Sequence, residues 1–193
     1  LTPDHPVTLS TDSRWLRRVL HRVQQFFASL HPRVSAGERA AAAAAAALSA
    51  AALALFDRMA RRDQRHSLDV LRRVQQVAPG QPDLAAAALL HDAAKTALPG
   101  RRLRLWHRVL IVLMEAVRPG WVQQVGREAP GSWRYPFYLH AHHPALGARL
   151  AEEAGCSPLT VELIRRHQVK LTHQPVDETE RLLAVLQAAD DAN

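Results

Sequence analysis

Eleven histidines in 193 residues are many, and one of them stands beside an aspartate in a setting that suggests chemistry. His91-Asp92 directly follows the run Ala85-Ala86-Ala87-Ala88-Leu89-Leu90. A helix that is apolar on every side enters a core, so the pair at its end is expected to be buried. Burying a carboxylate is costly unless a cation compensates it. Adjacent helical positions lie about 100° apart, so both side chains can lean toward one ion near the helix end. Lys95 follows Asp92 by three residues and shares its helical face. It could neutralise a phosphate as a point charge, or it could simply sit at a helix C-terminus, where the macrodipole favours cations. His140, His142 and His173 are spare ligand candidates, although such histidines more often lie at a surface or cap a helix. Cys156 is the only cysteine, which excludes an intramolecular disulfide and a thiolate-built zinc site.

The elements that must position these residues read as helices throughout. Abundant Ala, few β-branched runs and no period-two alternation predict an all-α fold, a single helical bundle. Residues 1–34 form an N-terminal arm and a basic amphipathic helix. In the latter, Trp15, Leu16, Val19, Leu20, Val23, Phe26, Phe27 and Leu30 recur at helical spacing, with Arg14, Arg17, Arg18 and Arg22 elsewhere on the circumference. Packing on its own domain is the ordinary fate of such a helix; a membrane surface or partner is the other. Residues 35–193 form the main domain. Ser35 and Glu38 have the spacing of a capping box, and one long helix is expected from there through the alanines to about Arg61. Further helices are expected over Gln64 to Val77, Pro82 to Leu98, Arg101 to Arg118, Pro144 to Ala154, Pro158 to Gln168 and Asp177 to Ala192, punctuated by Pro-Gly pairs and by Ser157-Pro158.

Five segments in order carry a family resemblance. Arg65-His66-Ser67-Leu68-Asp69-Val70, Ala88-Leu89-Leu90-His91-Asp92-Ala93-Ala94-Lys95 and Leu186-Gln187-Ala188-Ala189-Asp190-Asp191-Ala192 together resemble the His, His-Asp, Asp signature of the HD superfamily of metal-dependent phosphohydrolases. His143-Pro144-Ala145-Leu146-Gly147-Ala148 and Leu163-Ile164-Arg165-Arg166-His167-Gln168 resemble stretches of family members that hold two metals. The resemblance covers about residues 58–193. It implies a helical bundle of the HD/phosphodiesterase type and metal ligands His66, His91, Asp92 and Asp190, joined by His143 and His167 where a second ion binds. Its catalytic residues would be His91, Asp92 and Lys95. The sequence departs from the family in several places. The His-His-Glu and Gly-Tyr-Pro signatures of cyclic-dinucleotide phosphodiesterases do not occur after His167. Arg62 stands where many relatives carry a carboxylate, with Asp63 one position later, and Ala93-Ala94 replaces a common Ile-Gly.

The function implied is hydrolysis of a phosphoester or phosphoanhydride in a small, nucleotide-like substrate by metal-activated water. The cofactor would be one or two divalent ions; imidazole and carboxylate ligands suit Mn, Fe, Co, Ni, Zn or Mg alike. A non-catalytic, nucleotide-sensing HD-like domain is the alternative, and a membrane-surface or nucleic-acid module built on the basic N-terminal helix is a third reading. The net charge of +7 suits phosphate-bearing ligands, nucleic acid or an anionic membrane equally; no stable nucleic-acid partner is expected. Two segments are apolar enough to weigh as membrane spans. Ala40 to Phe56 is mostly alanine, and Val109 to Val117 is interrupted by Glu115, so neither resembles a run of about 20 strongly apolar residues. With no signal-peptide pattern at the N-terminus, a cytoplasmic location is expected, with contact to a membrane surface left open.

Overall fold

Ser35 starts the first helix as its spacing with Glu38 suggests. Its Oγ accepts the Glu38 N–H at 3.1 Å, and the Glu38 carboxylate accepts the Ser35 N–H at 3.2 Å. The computed structural model describes residues 34–98, 103–118 and 120–192; the expected arm and basic helix fall in residues 1–33, outside the described residues. Helix α1 spans Ala36–Ala45. The polyalanine stretch then departs from the single long helix expected of it. Ala47 takes a left-handed conformation (φ 48°), and Ser49 opens a new helix, α2 (Ala50–Arg58), by accepting the Ala52 N–H at 3.1 Å. The same hydroxyl donates to the Ala154 carbonyl at 2.9 Å. Uniform alanine propensity carries no signal of that distant contact, and local propensity yields to it.

Helices α3 (Arg61–Val77) and α4 (Pro82–Leu90) follow, then a short 3-10 turn, Ala93–Lys95. The remaining helices are α5 (Leu105–Val117), α6 (Trp121–Val125), α7 (Tyr135–Glu153), α8 (Pro158–Arg166) and α9 (Glu178–Asp191). The described residues contain no strand, in keeping with the all-α expectation. Every residue from Leu84 to Leu90 is buried, because α4 is packed against α1, α2, α3, α8 and α9. Its four alanines let those neighbours come close, and Leu84, Leu89 and Leu90 fill the spaces between them. Truncating one such leucine costs about 2–5 kcal/mol in a packed core. This central helix delivers His91-Asp92 into the middle of the protein.

Helix α7 begins at Tyr135 rather than at Pro144, with Pro136 in its first turn and Pro144 enclosed within it. A proline inside a helix has no N–H to give the carbonyl four residues back, here that of His140. A second apolar cluster of Leu103, Ile111, Val122 and Phe137 joins α5, α6 and α7. Beside it Gly126 is required, since a Cβ there would lie 2.9 Å from the Tyr138 backbone. Buried Asp63 ties the cluster to the core. It accepts from Thr96 Oγ1 at 3.0 Å and from Arg108 Nη2 at 2.7 Å, and Thr96 Oγ1 accepts the Ala60 N–H at 2.9 Å. Thus α3, the 3-10 turn and α5 are held at one point.

Candidate metal centre

Three histidines are set by the same local device. At the end of α4, His91 Nδ1 donates to the Ala88 carbonyl at 3.0 Å; at the end of α8, His167 Nδ1 donates to the Ile164 carbonyl at 2.8 Å. Carbonyls in a last helical turn lack a following N–H, so they are open to such a bond. His143 lies in the middle of α7, where carbonyls are normally taken. Pro144 vacates the His140 carbonyl, and His143 Nδ1 donates to it at 2.6 Å. A carbonyl can only accept, so in each ring Nδ1 carries a proton. In a neutral ring, that leaves the Nε2 lone pair as the acceptor or ligand.

Those Nε2 atoms converge. His66 and His91 Nε2 are 3.3 Å apart, and His143 and His167 Nε2 are 3.2 Å apart. Asp92 lies between the pairs. Its Oδ1 is 3.6 Å from His91, 3.5 Å from His143 and 4.0 Å from His167, and its Oδ2 is 3.9 Å from His66. Two groups result, His66/His91/Asp92 and Asp92/His143/His167, each with its ligand atoms within 4.8 Å of one another. Asp190 on α9 places Oδ1 2.9 Å from His66 Nε2 and 3.6 Å from His91 Nε2. All six residues expected as ligands therefore meet, although they are drawn from α3, α4, α7, α8 and α9.

Lys95 is folded onto the same carboxylate. Its ammonium donates to Asp92 Oδ2 at 2.8 Å and lies 2.7 Å from Oδ1, so one cation compensates both oxygens of this buried carboxylate. The remaining donors, imidazole Nε2 atoms and carboxylate oxygens within 4.8 Å of one another in two groups that share Asp92, have the chemistry to hold a metal cation.

Electrostatics prepare most of the donors for that role. Burial pushes His143 well below the ordinary histidine range and His167 down to about 4, so both rings are neutral near pH 7. Burial alone would raise Asp92, but Lys95, His91, His143 and His66 hold it well below the usual carboxylate range. Asp190 is likewise lowered against its burial, chiefly by bonding to His66 and His91. His91 is the exception. Burial works to lower it, and Asp92 and Asp190 outweigh burial and raise it.

The spare histidines separate. His140 stacks near His143, with ring centroids 5.9 Å apart, and contributes its carbonyl, but its ring is in neither group. His142 is exposed against Tyr138, and His173 is exposed and bonded to the Gln174 carbonyl. Arg165 and Arg166, which flank His167, are occupied in ion pairs, Arg165 with Glu162 at 2.8 Å and Arg166 with Glu180 at 3.3 Å. Sequence reading missed Asp63, Thr96 and Arg108, whose hydrogen bonds fix the turn carrying Lys95. An acidic residue in a first helical turn is too common to mark such a role. No family model, curated protein or solved structure matches this chain.

Proposed function

We propose that this protein is a metal-dependent phosphohydrolase of the HD kind, cleaving a phosphoester or phosphoanhydride in a small nucleotide-like substrate. The observation that supports it most is the sharing of Asp92 by two histidine pairs, whose Nδ1 protons are committed to backbone carbonyls in three of four rings. His66, His91, Asp92 and Asp190 would hold one divalent ion, and Asp92, His143 and His167 a second. When bound, a divalent ion supplies Lewis acidity toward a phosphoryl oxygen and lowers the pKa of water toward ~7.

The chain's own groups do the rest. The carbonyl bonds hold the imidazoles of His91, His143 and His167 in one tautomer and orientation, so no reorganisation is needed as charge develops. Asp190, the more exposed carboxylate of the set at 28% for its side chain, lies where a water can reach it and can orient that water by accepting its hydrogen bond. Lys95, 14% exposed, can swing its ammonium from Asp92 to a phosphoryl oxygen as a point charge.

The test is elemental analysis of protein purified without chelator, with a screen of nucleotides against several divalent metals. His91→Ala and Asp92→Ala should each abolish hydrolysis and reduce bound metal. Activity retained in both variants defeats the assignment, and bound metal without turnover of any nucleotide favours a sensing domain.

A further inference from the structure

Helix α5 has two apolar faces, and only one is used. Leu103 before it, with Ile111 and Met114 on it, packs into the cluster with Val122 and Phe137. On the other side Trp106, Val109, Leu110, Val112, Leu113 and Val117 all face solvent, with Leu113 58% and Val117 78% exposed. A patch of this size on one helix marks an interaction surface. Trp106 belongs to it, and Trp121 and Trp133, in the segments that follow, are likewise half-exposed. Trp106 stacks on His107 with centroids 3.6 Å apart; His107 and Trp133 both meet Phe137 edge-on.

Cationic side chains stand at both ends of the helix. Arg104 at the start of α5 and Arg118 at its end are exposed, and the one acid on the helix is Glu115. Glu115 is occupied internally, accepting the Gly120 N–H at 3.0 Å and the Val122 N–H at 3.4 Å. The other polar side chains of α5 are also turned inward. His107 is buried and accepts the Arg104 N–H at 3.0 Å, and Arg108 pairs with Asp63. The outer face thus presents one hydrogen-bonding side chain of its own, the Trp106 indole. A protein interface normally carries about one hydrogen bond per 100–200 Å², and a two-fold contact between copies would set arginines against arginines. Aliphatic side chains with a tryptophan among them and an exposed arginine at each end are instead the composition of a helix lying in a lipid interface.

We propose that the outward face of α5 docks on an anionic lipid bilayer, lying in its surface. No helix among the described residues is long and apolar enough to cross a membrane, so the contact is peripheral. The apolar side chains enter the acyl boundary, and the arginines meet lipid phosphates.

The test uses the full chain with vesicles of phosphatidylcholine, alone or with about one third phosphatidylglycerol. Wild type should float with the anionic vesicles and not with the neutral ones, and its binding should weaken as salt rises from about 0.1 to 0.5 M. The double substitution Val109→Glu/Leu113→Glu should reduce binding at least about tenfold while leaving circular dichroism and metal content unchanged. Trp15→Phe leaves only the three tryptophans of this region, and their emission should shift to the blue on adding anionic vesicles. Absence of wild-type binding, equal binding by the double variant, or no emission shift overturns the proposal. So does a wild-type dimer that the double substitution converts to monomer, which would give this face to a second copy.

Discussion

Pro144 acts through an atom it does not touch. Its missing N–H leaves the His140 carbonyl to the His143 ring. Pro144→Ala should restore the helical bond, set it in competition with Nδ1, and loosen that ring. Metal titration by calorimetry should show weaker binding at the Asp92/His143/His167 group, with helix content equal or higher. Unchanged affinity would show that the ring needs no such anchor. The titrating rings give a second prediction. His140 and His167 are held to about 4 by burial, against an ordinary 6.5, and His143 is lowered too. As pH falls from about 6.5 to about 4, the unfolded chain takes up protons the folded one refuses, so their stabilising contribution is full above that window and lost across it. His91 is raised and works oppositely, adding stability at low pH that fades as pH rises through its folded value. Three lowered rings against one raised ring give a net decline on acidification. The urea midpoint of chelated protein should therefore drop between about pH 7 and pH 4.5, and His140→Gln should flatten that drop. At this scale the sequence was readable where types and order sufficed, as with His91-Asp92 after its apolar run. It was silent on Pro144, whose effect exists only because the helix starts at Tyr135.

Among the elements, the central helix was the most legible and the alanine tract the least. A segment apolar on all sides can only be core, which is what α4 became. Over Ala40 to Ala47 every position has the same propensity, so only Ser49, bonded to Ala154 far along the chain, decides where one helix stops and the next starts. The placement of the 3-10 turn depends on Asp63, and Asp63→Ala would leave Arg108 and Thr96 without their acceptor. We expect a loss of about 2–3 kcal/mol in urea unfolding, with weakened metal binding because Lys95 and Asp92 ride on the same turn. Gly126→Ala is expected to cost about 1–3 kcal/mol by forcing α6 away from α7, with metal affinity little changed. Equal effects of the two variants on metal binding would contradict the separation of the two clusters.

The molecule as a whole joins a buried, preset polar centre to an arginine-rich exterior. Its all-helical character was plain from composition and period, and the convergence of five segments on one point was expected from their resemblance to a family. The bare face of α5 was not: Val109 to Val117 was weighed only as a membrane span, and the packed structure shows that most of it faces water. Lys95 has a consequence for how this chain lives before it meets any ion. Its ammonium already sits where positive charge is wanted, an understudy that lets the helices assemble around Asp92 without waiting for a metal. Chelated protein should accordingly keep its circular dichroism, unlike small domains that unfold when stripped. Lys95→Met should lower the stability of the chelated form by about 3–5 kcal/mol, and added divalent ion should restore most of it. On the proposed reading, a chain built this way folds around an empty centre and can be stored so until an ion is supplied.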